Sequence, residues 1–97
     1  MTGSDHALSP LDVRRKKLAY RAAHRGTKEM DLIVGGYVAR HIASMTPAEL
    51  DDLERIIEIP DADLDAWLTG KAPLPEEQKS DLLMAILGVT YTPGDYT

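Results

Sequence analysis

The chain has 97 residues, a net charge of −5, 43% hydrophobic and 28% charged residues, and no cysteine. That is the length of one domain with a modest core, and the missing cysteine excludes a disulfide scaffold, a thiolate metal site and a cysteine nucleophile together. The charge is split: residues 1–45 hold eight Lys/Arg against four Asp/Glu, and residues 46–97 hold three against twelve, a polarity that fits a nucleic-acid arm, an acidic tail or a dipolar protein with one binding face.

Residues 1–8 are polar and show no periodicity, so they are expected to be disordered. Ser9 reads as a helix N-cap, with Pro10 at the first helical position and Asp12 at the third. That first helix runs to about Ala23 with Leu11, Leu18, Ala19 and Ala22 inward, and Gly26 supplies its left-handed stop. Thr27 is expected to cap a second helix, whose first turn holds Glu29 and Asp31. Met30, Ile33, Val34, Tyr37, Val38, Ile42 and Met45 follow helical spacing and form the longest apolar stripe. Gly35 and Gly36 interrupt it, each at about 1 kcal/mol against alanine, which points to close helix packing or a mild kink.

Thr46-Pro47-Ala48-Glu49 is a capping box with proline at the first position. Leu50, Leu53, Ile56 and Ile57 give the third helix its apolar face, and Pro60 ends the segment. Asp61 is expected to cap a short fourth helix containing Leu64, Trp67 and Leu68, with Gly70 as its stop; Trp67 reads as a core anchor. Pro75 is expected to open a fifth helix, with Glu76 and Glu77 at its positive end, Leu82, Leu83, Ile86 and Leu87 inside and Gly88 as its end. Val89–Thr92 is the only stretch resembling a strand, and it is too short to stand alone. The expected fold is a compact all-α five-helix bundle over residues 9–88, with an irregular tail from 89 to 97.

Enzyme signals are absent. There is no Gly-rich phosphate loop, no nucleophile elbow and no metal-ligand pair at helical spacing. His6, His24 and His41 are scattered, and acidic pairs such as Asp51-Asp52 fit caps and solvated faces. Arg14-Arg15-Lys16-Lys17, with Arg21 and Arg25 following, raises nucleic-acid binding. Four consecutive basic residues point around a helix, not along one stripe. Base edges are commonly read by Arg, Asn and Gln, yet there is no asparagine and only one glutamine, Gln78. A solvated basic helix, or a docking surface for an acidic protein, fits better. No apolar run nears the about 20 residues of a membrane span, and Asp5 and Asp12 argue against an organelle presequence.

The most informative segment is Arg25-Gly26-Thr27-Lys28-Glu29. A tight helix–helix corner needs the glycine. It does not need an arginine and a carboxylate at this spacing around it. A partner backbone could approach such a corner closely, between charges of both signs.

Tyr20–Leu32, with its Arg-Gly-x-x-Glu core and Asp31 after it, resembles the signature of the succinate dehydrogenase assembly factor 2 family, also called the bacterial flavinylation factor. Asp61-Ala-Asp63-Leu64-Asp65-Ala66-Trp67-Leu68 is similar to a second stretch of that family. The resemblance spans about Val13 to Leu87. Met30, Tyr37 and Gly36 depart from common residues of the family. The resemblance implies a five-helix binding chaperone, not an enzyme, that binds the flavoprotein subunit of succinate dehydrogenase and also of fumarate reductase. It promotes covalent FAD attachment there. It needs no cofactor of its own, since FAD belongs to the partner. The partner-binding residues implied are Arg25, Gly26, Glu29 and Asp31, with His24 beside them. A monomer in the cytoplasm, with no nucleic acid and no membrane insertion, is the accompanying expectation. An antitoxin-like partner of a small membrane toxin and a small helical nucleic-acid binder are the alternatives.

Overall fold

Two capping boxes start the first and third helices. In the computed structural model, which describes residues 9–90, α1 covers Pro10–Ala23 and α3 covers Pro47–Ile57. The Ser9 hydroxyl accepts the Asp12 N–H at 3.1 Å, and Asp12 reaches back to the Ser9 N–H. Thr46 and Glu49 do the same at 3.2 and 2.8 Å. Each box satisfies two backbone donors that a helix start otherwise leaves free. Between these helices lies α2, Lys28–His41, continued by a 3₁₀ turn over Ile42–Ser44. Then follow α4, Asp61–Thr69, and α5, Asp81–Thr90, giving five α-helices and no strand among the described residues.

The core is entirely apolar. Leu18 and Ala22 of α1, Met30, Val34 and Val38 of α2, Leu50, Leu53 and Ile56 of α3, Leu64 of α4 and Leu82, Leu83 and Ile86 of α5 are buried together. Met45 and Ile59 add to them from the connectors. Each large side chain contributes about 1.5–3 kcal/mol by leaving water. α1 packs on α2 and α3, and α5 packs on the same two helices. Of the stripe expected on α2, Ile33, Tyr37 and Ile42 are only partly buried. Gly35 explains how α1 and α2 come so close: a Cβ there would lie 2.7 Å from Ala23 Cα. Gly36 has no such role, its nearest neighbour being Arg40 Nη1 at 3.6 Å.

Four expected details are corrected. α5 does not start at Pro75. Glu76–Gln78 forms a separate 3₁₀ turn, and Lys79 is extended. Arg55 takes the Gln78 carbonyl oxygen at 3.2 Å and the Gln78 Oε1 at 2.7 Å. The helix begins instead after Ser80, whose hydroxyl accepts the Leu83 N–H at 3.1 Å. At its other end, α5 passes through Gly88 and includes Val89 and Thr90, so the strand considered there is not formed by those two residues. Asp61 is the first residue of α4, with Pro60 in the cap position and no side-chain cap. Thr27 occupies the cap position of α2, but its hydroxyl does not cap it. Gly70 stops α4 with φ +80°. The disorder expected for residues 1–8 and the tail from 91 onward lie outside the described residues.

Candidate functional site

The corner between α1 and α2 is built by bonds that converge on Arg25. α1 ends at Ala23, and His24 turns out of the helix with φ −129°. Gly26 then takes φ +118°, which a side chain strongly disfavours. Thr27 is extended and leads into α2. The Arg25 N–H donates to Asp31 Oδ1 at 2.5 Å, pulling the corner onto the first turn of α2.

The Arg25 guanidinium points inward. Its side chain is only 6% exposed. Nε donates to Asp61 Oδ1 at 2.6 Å, Nη1 to the Ile57 carbonyl at 2.9 Å, and Nη2 to the Ile59 carbonyl. Ile57 is the last residue of α3, where free carbonyls carry partial negative charge and favour a cation. Asp61 sits at the opposite kind of terminus, the positive start of α4. The fork therefore joins the α1–α2 corner to the α3–α4 turn. Arg25, expected at the partner contact, thus has a fixed, desolvated place with three internal acceptors in this structure.

Outside the clamp, three features face solvent. Gly26 is exposed, and a Cβ on it would meet nothing within 4 Å. Glu29 is exposed, and its carboxylate makes no hydrogen bond or ion pair among the described residues. His24 is exposed and stacks on Tyr20, ring centroids 3.9 Å apart. Its Nδ1 lies 2.8 Å from the Tyr20 carbonyl, which makes Nδ1 the protonated nitrogen. A groove of about 470 Å³ runs along one side of the corner between Tyr20, His24 and Pro60. A smaller one of about 230 Å³, lined by Thr27, Glu29, Asp61 and Asp65, flanks the other.

The charge split folds against itself. Arg14 reaches Asp51 at 2.6 Å and Glu54 at 2.9 Å, and Arg21 pairs with Glu58. Asp51 and then Glu54, by hydrogen bonding, hold the Arg14 guanidinium above its ordinary pKa. Arg15 pairs with Asp12 and donates to the Met45 carbonyl. Three of the five arginines of the basic half, Arg14, Arg21 and Arg25, are thus paired with carboxylates of the acidic half. Lys16, Lys17 and Lys28 are exposed and have no partner among the described residues.

Asp61, expected as a helix cap, is the hub of this corner. The one sequence signal for it was the joint presence of the two family-like stretches, which the Arg25–Asp61 pair physically connects.

Residues 16–90 match the family described as the flavinator of succinate dehydrogenase. The chain belongs to this family. The FAD assembly factor SdhE of Acetobacter pasteurianus is 48% identical over 73 residues, covering 75% of this chain and 67% of the relative. Succinate dehydrogenase assembly factor 2, mitochondrial, of Dictyostelium discoideum is 32% identical over 82 residues, covering 84% of this chain and 58% of the relative. The protein of the same name from Debaryomyces hansenii is 30% identical over 80 residues, covering 79% and 56%. The chain therefore spans about two thirds of the bacterial relative and just over half of the two mitochondrial ones. The α1–α2 corner, with Arg25 inside and Gly26 and Glu29 outside, falls within the matched residues.

Proposed function

We propose that this flavinator is a binding chaperone, not an enzyme: it presents its Gly26 corner to the flavoprotein subunit of succinate dehydrogenase and promotes covalent FAD attachment to that subunit. The observation that carries this is the exposed Gly26 at φ +118°, with open space around it and the unpartnered Glu29 nearby. A glycine there lets a partner backbone come close, and Glu29 can accept charge-assisted hydrogen bonds from it. Arg25 and Asp31 hold the corner from inside, and His24 borders it. FAD belongs to the partner, and the bond-forming chemistry is that of flavin and flavoprotein. The chaperone contributes differential affinity, favouring the partner conformation in which the flavin and the side chain that bonds it are aligned. We further propose that it acts as a monomer in the cytoplasm; no described helix is long and apolar enough to cross a membrane.

The test is co-expression of Gly26→Arg and Glu29→Ala variants with the flavoprotein subunit, reading covalent flavin by in-gel fluorescence. Both variants should lower it strongly while keeping the helical circular dichroism of the parent. Undiminished fluorescence with folded variants would overturn the reading.

A further inference from the structure

We propose that Asp61, on a different helix from the corner, is a positioning residue that sets the corner's binding shape before the partner arrives. The inference rests on the corner being the contact. The two carboxylate oxygens of Asp61 are divided between the two neighbours of Gly26. Oδ1 accepts Arg25 Nε at 2.6 Å, and Oδ2 accepts the Thr27 hydroxyl at 2.9 Å. Among the described residues no other side chain bonds to both.

Thr27 is the telling partner. A threonine at the start of a helix ordinarily turns its oxygen onto that helix's own free N–H groups. Thr27 stands in that position and makes no such bond. Its hydroxyl donates across to α4 instead. The local bond is given up for one that fixes the corner.

Fixing matters here because glycine is the residue with most backbone freedom to lose. A corner that orders only on binding weakens affinity by that lost freedom. Tying Arg25 and Thr27 to one carboxylate orders Gly26 from both sides in advance. Asp61 itself is 23% exposed at its side chain and lies beneath the corner, where both flanking grooves reach it. It acts through its neighbours and not on the partner.

The full chain carrying Thr27→Val, Asp61→Ala or Asp61→Asn is compared with Glu29→Ala and the parent. Three quantities are read: dissociation constant for the purified flavoprotein subunit, amide exchange over residues 24–28, and melting temperature. Thr27→Val leaves the Arg25 clamp intact, so its melting temperature should fall far less than that of Asp61→Ala. Its corner amides should exchange faster, and binding should weaken about three- to tenfold, the scale of ordering one freed group again on binding. Asp61→Ala should weaken binding further. Asp61→Asn keeps an oxygen for Arg25 Nε and a nitrogen that can donate to the Thr27 hydroxyl, so it should recover most of the affinity. Parent-like exchange and affinity in Thr27→Val, with affinity lost in Glu29→Ala, would overturn the role of Asp61 and leave the contact standing. Parent-like affinity in Glu29→Ala would overturn the contact and this inference together.

Discussion

Gly35 and Gly36 are adjacent in α2, yet alanine should act on them in opposite directions. In a helix interior the change from glycine to alanine alone gains about 1 kcal/mol. At Gly36 the new methyl meets only Arg40 Nη1 at 3.6 Å, an ordinary contact with the end of a flexible side chain. Gly36→Ala should therefore stabilise by about 0.5–1 kcal/mol. At Gly35 the methyl would lie 2.7 Å from Ala23 Cα, 2.9 Å from Ala23 Cβ and 3.3 Å from the Ala22 carbonyl oxygen. The nearest obstacle is backbone, so relief requires the last turn of α1 to retreat by about 1 Å. Overpacking of a tight contact costs about 1–3 kcal/mol, and the upper part applies where backbone must move. After the propensity gain, Gly35→Ala should destabilise by about 1–2 kcal/mol. For a domain of this size, that lowers the melting temperature by about 4–15 °C, and Gly36→Ala raises it by about 2–8 °C. Because Ala23 is the last residue of α1, the same retreat displaces the Arg25–Gly26 corner and should lower flavoprotein binding. Thermal unfolding followed by circular dichroism at 222 nm measures both variants. Equal shifts of the same sign would refute the close-approach argument.

Ser80→Ala should destabilise by about 1 kcal/mol, since it removes the acceptor of the Leu83 N–H at the true start of α5, whereas Pro75→Ala should leave that helix unchanged; urea midpoints distinguish the two. Gly26→Ala should cost about 1–2 kcal/mol through backbone strain alone, because its Cβ meets no atom, and a calorimetric scan checks it. Trp67→Ala should cost about 2–3 kcal/mol in a urea titration, less than a fully enclosed aromatic, because Trp67 is only partly buried against the core beside Pro60 and Pro73.

Helix starts were legible wherever the capping chemistry stayed within one turn. Ser9–Asp12 and Thr46–Glu49 close on themselves, so three or four letters specify them. The apolar stripes were legible for a related reason: burial of Leu50, Leu53 and Ile56 depends on helical spacing, which the letters carry directly. At Thr27, Asp61 and Pro75 the structure departs from the local pattern for a shared reason. In each case a local bond competes with one to another element, and the distant partner wins. Thr27 and Asp61 each have a composition suited to capping, yet bond to one another across 34 residues. Pro75 does open a turn, but Arg55 of α3 takes the Gln78 carbonyl and stops it from growing into α5.

The site follows the same division. Gly26 was legible because a positive φ at a tight corner demands glycine whatever surrounds it. The direction of Arg25 was not, because only the fold brings the carbonyls of Ile57 and Ile59 within reach of its fork. The Arg-Gly-x-x-Glu signature therefore contains two kinds of residue that look alike in sequence. Arg25 faces inward, and replacing it leaves Asp61 Oδ1 and the Ile57 and Ile59 carbonyls without this donor, so its loss acts first on the fold. Glu29 faces outward with no partner to lose, so replacing it should change affinity while the melting temperature holds. A single signature thus separates into a structural half and an exposed half, and the exposed half is the one proposed to meet the partner. The second family-like stretch belongs with the structural half, because Asp61 begins it.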